Sequence, residues 1–277
     1  MSTQKVWFIT GASKGMGLEI TKAALESGGK VIATSRNTDL LLEKVIDHKD
    51  NLLSVKLDIT NEKDVENGIS KGIEKFGRID VVVNNAGYNL LGNIEELSDS
   101  EFRKTMDVNV FAMANVIRNV LPHLRRQKSG HIINTASMMG YMSYPGNGSY
   151  SASKYAVIGL SEALAQEVAP FDIKVTILAP GTFRTNFMSE ESLNVAENKI
   201  DAYNLDGQVE QFTGFDGQQL GDPKKLAEVL LKITAMSNPP LHLPLGSDSY
   251  HAILEVRRKE REEMEQWKDL SLATDFE

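Results

Sequence analysis

Short apolar runs rich in β-branched residues alternate along the chain with longer stretches in which apolar residues return every three or four positions. The short runs are Val6–Thr10, Lys30–Ser35, Asn51–Leu57, Ile79–Asn84, His131–Ala136, Ile173–Ala179 and Leu241–Leu245. The helical periods cover Met16–Glu26, Lys63–Phe76, Ser100–Leu124, Ala152–Val168 and Lys225–Ala235. Runs of the first kind predict strands and those of the second predict amphipathic helices. Strict alternation of the two implies parallel pairing through right-handed crossovers, and therefore a doubly wound α/β sheet. Val81-Val82-Val83, apolar at every position, suits a strand covered by helices on both faces.

No linker rich in Pro, Gly or Ser divides the chain, and no internal repeat is visible, so residues 1–277 read as a single domain. The stretch 182–221 breaks the alternation. It lacks periodicity and follows the carboxyl end of a strand, where a loop of that length predicts a substrate lid. Its Phe183, Phe187, Met188, Tyr203, Phe212 and Phe215 are expected to pack mainly among themselves. Together with Met138, Met139 and Tyr144 they suggest a partly apolar substrate. The tail 247–270 reads as a solvated helix of mixed charge, with Arg257-Arg258-Lys259 followed by Glu260, Glu262 and Glu263. Trp267 and Leu270 suit packing on the body of the protein or on another subunit, and the former is expected.

Charge and composition remove several classes of function. Asp plus Glu outnumber Lys plus Arg by 38 to 30, and a net charge of −8 argues against nucleic acid as the main partner. The chain has no Cys, so disulfide, thiolate and Cys-ligated metal chemistry are excluded. The five His residues (His48, His123, His131, His242 and His251) show no paired spacing, and no metal site is expected. No apolar run reaches the roughly 20 residues of a membrane helix. Lys5 leads straight into a strand without a signal-peptide pattern, so a cytoplasmic location is expected.

Thr10-Gly11-Ala12-Ser13-Lys14-Gly15-Met16-Gly17 joins the first strand to the first helix. Glycines there allow a tight turn and close backbone approach to a diphosphate at a helix N-terminus. The spacing G-x-x-x-G-x-G differs from the common G-x-G-x-x-G, and a plain packing turn fits the same residues. The second strand ends Ala33-Thr34-Ser35-Arg36, without the acid that holds a ribose 2′-hydroxyl. Arg36 and Lys14 suit a 2′-phosphate instead, or simply serve as solvated charges.

In Ser149-Tyr150-Ser151-Ala152-Ser153-Lys154, Tyr150 and Lys154 stand at i and i+4 and share a helix face. An ammonium beside a phenol is expected to lower its pKa toward neutrality. Ser137 follows the strand His131–Ala136, at the end of the sheet where α/β proteins bind ligands.

With these motifs together, the chain resembles the short-chain dehydrogenase/reductase family. The resemblance rests on the glycine turn, Asn84-Asn85-Ala86-Gly87, Asn109, Ser137, Tyr150, Lys154 and Pro180-Gly181, in that order, and is strong over residues 4–182. It implies a Rossmann-like domain in which Tyr150 exchanges the proton, Lys154 tunes it and holds the nicotinamide ribose, Ser137 orients the carbonyl and Asn109 supports a water relay. It also implies cofactor contacts from Gly11, Ser13, Lys14, Gly15, Met16, Gly17 and Arg36. Asp58 and Ile59 would contact the adenine, Asn85, Ala86 and Gly87 would line the cofactor, and Pro180, Gly181, Thr182 and Thr185 would contact the nicotinamide side. Asp58 equally fits a cap for the helix after Thr60, and Asn84 fits a buttress between strands.

The expected activity is hydride transfer between NADP(H), in preference to NAD(H), and a secondary alcohol or its ketone. Family membership also implies a homo-oligomer, dimer or tetramer. The rival readings are an NADP(H)-binding sensor or scaffold without turnover, and a nucleotide-sugar epimerase or dehydratase. The first is weakened by the presence of both Tyr150 and Lys154, the second by the absence of a larger C-terminal substrate domain.

Overall fold

The computed structural model describes residues 4–45, 48 and 50–276. The apolar runs become strands β1 (Val6–Thr10), β2 (Lys30–Ser35), β3 (Leu52–Lys56), β4 (Val81–Asn84), β5 (Leu90–Leu91), β6 (Gly130–Thr135), β7 (Ile173–Pro180), β8 (Asn194–Val195) and β9 (His242–Leu245). All but β5 and β8 join one parallel sheet in the order β3-β2-β1-β4-β6-β7-β9. The helices are α1 (Gly15–Glu26), α2 (Asp39–Lys44), α3 (Glu62–Phe76), α4 (Asp99–Met106), α5 (Ala112–Gln127), α6 (Gly148–Val168), α7 (Leu205–Thr213), α8 (Pro223–Thr234), α9 (Ser247–Gln266) and α10 (Lys268–Leu272).

Because side chains alternate along a strand, each strand feeds two cores. Trp7, Ile9, Val31 and Val83 pack with Leu18, Leu25, Leu226 and Leu230 of α1 and α8. Phe8, Ile32 and Val82 pack on the other face with Ile69, Val120, Val157 and Leu164 of α3, α5 and α6. Burying one such aliphatic or aromatic side chain contributes about 1.5–3 kcal/mol, which is why the apolar runs dominate the fold. After β1 the chain builds β2 and β3 on one side, then crosses to place β4 on the other. The crevice between the carboxyl ends of β1 and β4 is the switch point, where such sheets bind ligands.

Two expectations need correction. The helix expected over Ser100–Leu124 is α4, then one π-helical segment Asp107–Phe111, then α5. The extra residue of a π turn leaves no mark in apolar periodicity, and such turns gather at functional sites. Trp267 and Leu270 do not pack on the body: they are 53% and 69% exposed. Ser249 and Ile253 are buried and Asp248, Ala252 and Val256 half-buried, whereas α9 is exposed from Arg257 onward, with pairs such as Arg258 with Glu255 and Glu262 along it. Among the described residues, no helix is long and apolar enough to cross a membrane.

Candidate active site

The glycine turn sits at the switch point. Gly11 and Gly15 have φ of +65° and +56°, a left-handed region that favours glycine. A Cβ on Gly17 would run into the Gly11 carbonyl and the Asn85 amide. Helix α1 starts at Lys14 without a side-chain cap and has no acid in its first turn, so its first N–H groups remain available to an anion. The turn is anchored to β2, since Ala12 N–H donates to the Thr34 carbonyl (3.1 Å) and the Ser35 hydroxyl donates to Ser13 Oγ (2.9 Å). This brings Ser13 and exposed Lys14 to the end of β2, where Arg36 is also exposed. The Met16 side chain packs on the core beneath the turn.

Asp58 is not a helix cap. Asn61 caps α3, accepting from the N–H groups of Lys63 and Asp64, whereas Asp58 closes its own turn with the Thr60 hydroxyl (2.7 Å) and N–H (2.9 Å). The Thr60 hydroxyl, then its N–H, hold the Asp58 carboxyl below the usual range, with a smaller contribution from the Arg36 charge. Ile59 packs against the core while its carbonyl accepts from Asn115 Nδ2.

After β4, Asn84 donates to Asn134, which donates to Ser161, so it buttresses strands and α6. The Asn85 side chain is turned to the glycine turn. Its Nδ2 donates to the carbonyls of Thr10 (3.1 Å) and Gly11 (3.3 Å), and the N–H groups of Asn85 and Ala86 donate to Thr10 Oγ1. These bonds staple the glycine turn to the end of β4. Asn109, in the π segment, accepts from Tyr88 N–H and donates to the Tyr88 carbonyl (3.0 Å) and Ser153 Oγ (3.0 Å). Both of its N–H groups are thereby used, and its side chain positions the segment after Gly87.

Ser137, Tyr150 and Lys154 converge at the carboxyl end of β6. The Ser137 oxygen accepts from Met139 N–H (3.1 Å) and faces the Tyr150 hydroxyl. Lys154 Nζ donates to the Thr135 carbonyl (2.9 Å) and lies 5.5 Å from the centre of the Tyr150 ring. Ser153 Oγ donates to the Tyr150 carbonyl (2.6 Å), tying this helical turn to Asn109. Burial pushes the Tyr150 phenol up to about 12, with the Ser137 side chain pulling the other way. Burial pushes the Lys154 ammonium down to about 8. The expected lowering of the tyrosine by the lysine is thus absent from the site as it stands. Both groups lie in a poorly solvated pocket, where desolvation outweighs an ammonium that is engaged by a carbonyl.

Segment 182–221 is clasped at its ends, with Gly221 N–H donating to the Thr182 carbonyl and Arg184 N–H to the Gly221 carbonyl. Thr185 stands over the glycine turn, since a Cβ on Gly15 would meet its Cβ at 3.5 Å. Phe187 lies 6.0 Å, ring to ring, from Tyr150. The Thr182 N–H and hydroxyl both donate to Asp248 Oδ2 (2.7 Å each). The aromatics do not form one core of their own. Phe183 packs on the main core and Phe212 on a small cluster around Leu91, Ala196 and Leu205, while Phe187, Tyr203 and Phe215 are exposed.

Carboxylates from residues 95–101 hold the segment in place. Glu96, fully buried, accepts from Ile200 N–H (2.9 Å) and from Asn93; Glu101 accepts from Glu197 N–H, and Glu95 from the Tyr203 hydroxyl. Burial pushes the Glu96 carboxyl up, but the Ile200 and Asn93 donors together outweigh it and leave its pKa lowered. A lowered carboxylate stabilises above its unfolded pKa and loses that contribution as pH falls through the folded value. Glu96→Gln is therefore expected to speed proteolysis within 189–203 at neutral pH by about tenfold, the loss of one charged hydrogen bond. Unchanged cleavage would remove Glu96 as the anchor.

The roles of Asp248, Ser153, Thr10 and Glu96 were not read from the sequence. Only Asp248 carried a signal, an acid in the first turn of a helix that follows Gly246. The other three act through tertiary contacts that local pattern does not encode.

The family described as short chain dehydrogenase matches residues 5–196. The chain is 38% identical over 271 residues to "Oxidoreductase BOA17" of Botryotinia fuckeliana (98% of this chain, 99% of the relative). It is 36% identical over 244 residues to a "3-ketodihydrosphingosine reductase" of Bacteroides thetaiotaomicron (87% and 88%). A solved short-chain dehydrogenase from Streptomyces avermitilis superposes with a TM-score of 0.92 at 36% identity, covering 99% of this chain and 100% of the other. Two further solved relatives hold nicotinamide cofactors. ElxO has NADP bound (TM-score 0.73, 27% identity, 88% and 97% covered), and a Burkholderia phymatum short-chain dehydrogenase/reductase is in complex with NAD (0.80, 25%, 95% and 95%). The protein belongs to the short-chain dehydrogenase/reductase family and is an oxidoreductase of that family.

Proposed function

We propose that this protein is an NADP(H)-dependent reductase that converts a ketone to a secondary alcohol. The observation that carries the reading is the convergence of Tyr150, Lys154 and Ser137 beside an uncapped glycine turn at the switch point. The turn fits a dinucleotide, because Cβ atoms at Gly11 or Gly17 would crowd it and the first N–H groups of α1 are free for a diphosphate. Asp58 and Ile59 would flank the adenine, Ala86 and Gly87 the middle of the cofactor, and Pro180, Gly181 and Thr185 its nicotinamide end. Bound there, the cofactor supplies the hydride.

Ser137 holds the substrate carbonyl through its hydroxyl. Tyr150 gives its proton to the carbonyl oxygen as that oxygen becomes an alkoxide, so the tyrosine O–H bond breaks as the alcohol O–H forms. In the reverse direction the same tyrosine oxygen takes the proton from the alcohol, so one residue serves both reduction and oxidation. Lys154 stabilises the phenolate left behind, and solvent restores the proton. The printed name of the Bacteroides relative also supports a ketone substrate. A panel of ketones followed by nicotinamide absorbance tests the reading, and tight NADPH binding without turnover of any ketone would favour a sensor instead. The family also leads us to expect a dimer or tetramer, which light scattering can measure.

The NADP preference rests on Lys14 and Arg36, both exposed beside Ser35. NADPH is expected to bind at least ~tenfold more tightly than NADH, the worth of a charge-assisted hydrogen bond. Arg36→Asp should shrink or reverse that ratio in fluorescence titrations. Equal affinities in the wild-type protein would overturn the assignment.

A further inference from the structure

Two buried amides beside the catalytic helix are not used by the mechanism above. Asn89 is 3% exposed and Asn147 is 9% exposed, and Asn89 Nδ2 donates to Asn147 Oδ1 at 3.2 Å. Asn147 is the residue before α6 and precedes Tyr150 by one helical turn, a rise of roughly 4.5 Å along the axis. Asn89 lies two residues after Gly87, where an added Cβ would meet Asn109 Oδ1 at 3.0 Å and Lys154 Nζ at 3.6 Å. On the other side, the Asn89 main-chain carbonyl accepts from Asn194 of β8. The pair therefore stands between the catalytic helix and segment 182–221.

The amide of Asn89 is incomplete. Its donor is used on Asn147, while its Oδ1 is buried with no hydrogen-bond partner. Just before Tyr150, Gly146 has the Gln208 and Leu91 side chains beside it and Gly148 has Ile94. A buried acceptor without a donor is costly, and a fold that keeps one beside its reaction centre is suited to a ligand that completes it. A water placed there would be displaced by a better-positioned donor.

We propose that Asn89 and Asn147 form a polar clamp that reads a hydrogen-bond donor, a hydroxyl or an N–H group, on the carbon α or β to the carbonyl that Tyr150 protonates. Hydroxyketones and aminoketones are then the preferred substrate class. Plain ketones leave the acceptor unpaired, and a carboxylate at that position meets it with like polarity. The proposal deepens the ketone-reductase reading and rests on it for the position of the carbonyl.

The test compares acetophenone, α-hydroxyacetophenone and α-aminoacetophenone with wild-type protein and with Asn89→Leu and Asn89→Asp. Turnover is measured with NADPH, and binding without turnover is measured by calorimetry in the presence of NADP+. The wild type should prefer the hydroxyketone to acetophenone by at least ~tenfold in kcat/KM and in affinity, mostly through KM. In Asn89→Leu the two should converge, and Asn89→Asp should shift the preference toward the aminoketone. Thermal melting reports whether each variant folds, and Asn89→Asp keeps the test alive if Asn89→Leu does not. Equal wild-type affinities for the plain and hydroxylated ketones would overturn the clamp, as would a preference that survives in folded Asn89→Leu. Selective binding of the hydroxyketone without turnover would instead leave the clamp standing and overturn the reductase assignment.

Discussion

Tyr150→Phe is expected to lower ketone reduction at least ~10²-fold, the lower end of what a positioned acid contributes, while leaving folding and NADPH affinity near the wild-type values. The change removes one oxygen and keeps the ring, so packing against Phe187 persists. That oxygen is the only group on the residue that can protonate an alkoxide. Ser137 cannot replace it, because an alcohol is a far weaker acid than a phenol. Lys154 is held to the Thr135 carbonyl by one of its N–H groups and lies 5.5 Å from the centre of the Tyr150 ring, behind the phenol. Initial rates by nicotinamide absorbance, with cofactor affinity by fluorescence and melting by circular dichroism, separate chemistry from binding and stability. A folded Tyr150→Phe protein with near-normal turnover would require a different acid.

The sheet was legible because its strands are apolar on both faces, which leaves little ambiguity once helices alternate with them. Val81-Val82-Val83 and Trp7-Phe8-Ile9 announce themselves in this way. The glycine turn and the Tyr150–Lys154 pair were legible because each is local: a φ that suits glycine, and an i,i+4 helix face. What the sequence concealed was nonlocal. The π segment around Asn109 interrupts no apolar period, yet it brings the Asn109 amide to Tyr88 and Ser153. Asn85 and Thr182 follow family order, but their side chains turn to the glycine-turn carbonyls and to Asp248, contacts between residues far apart in the chain. The exposed Trp267 and Leu270 show the converse. Apolar identity in a helix suggests burial, but Trp267 and Leu270 lie beyond the part of α9 that packs on the body through Ser249 and Ile253. The spacing shows the proximity of Lys154 to Tyr150 but not the depth of burial that pushes the phenol up.

Lys154→Met is expected to separate function from stability. A lysine held at about 8, against an ordinary value of 10.5, means that the folded state at neutral pH carries a desolvated charge worth roughly 3 kcal/mol against it. Between those two pH values the unfolded chain binds more protons than the folded one, so wild-type stability rises with pH through that window. Methionine fills the same space without charge and should lack this rise. It leaves the Thr135 carbonyl without its donor, at about 1–3 kcal/mol, which offsets much of the gain near pH 7. The mutant should therefore match the wild type in denaturant melts at neutral pH and fall progressively behind it between pH 8 and 10.5. Turnover should drop on the order of 10²-fold throughout, because the phenolate left on Tyr150 loses its counter-charge. NADPH affinity should also fall if the same ammonium holds the nicotinamide ribose. A mutant with normal turnover and cofactor affinity would make Lys154 a buried strut. A stability difference that does not change from pH 8 to 10.5 would mean that its ammonium is better solvated than the packing around Tyr150 and Thr135 allows.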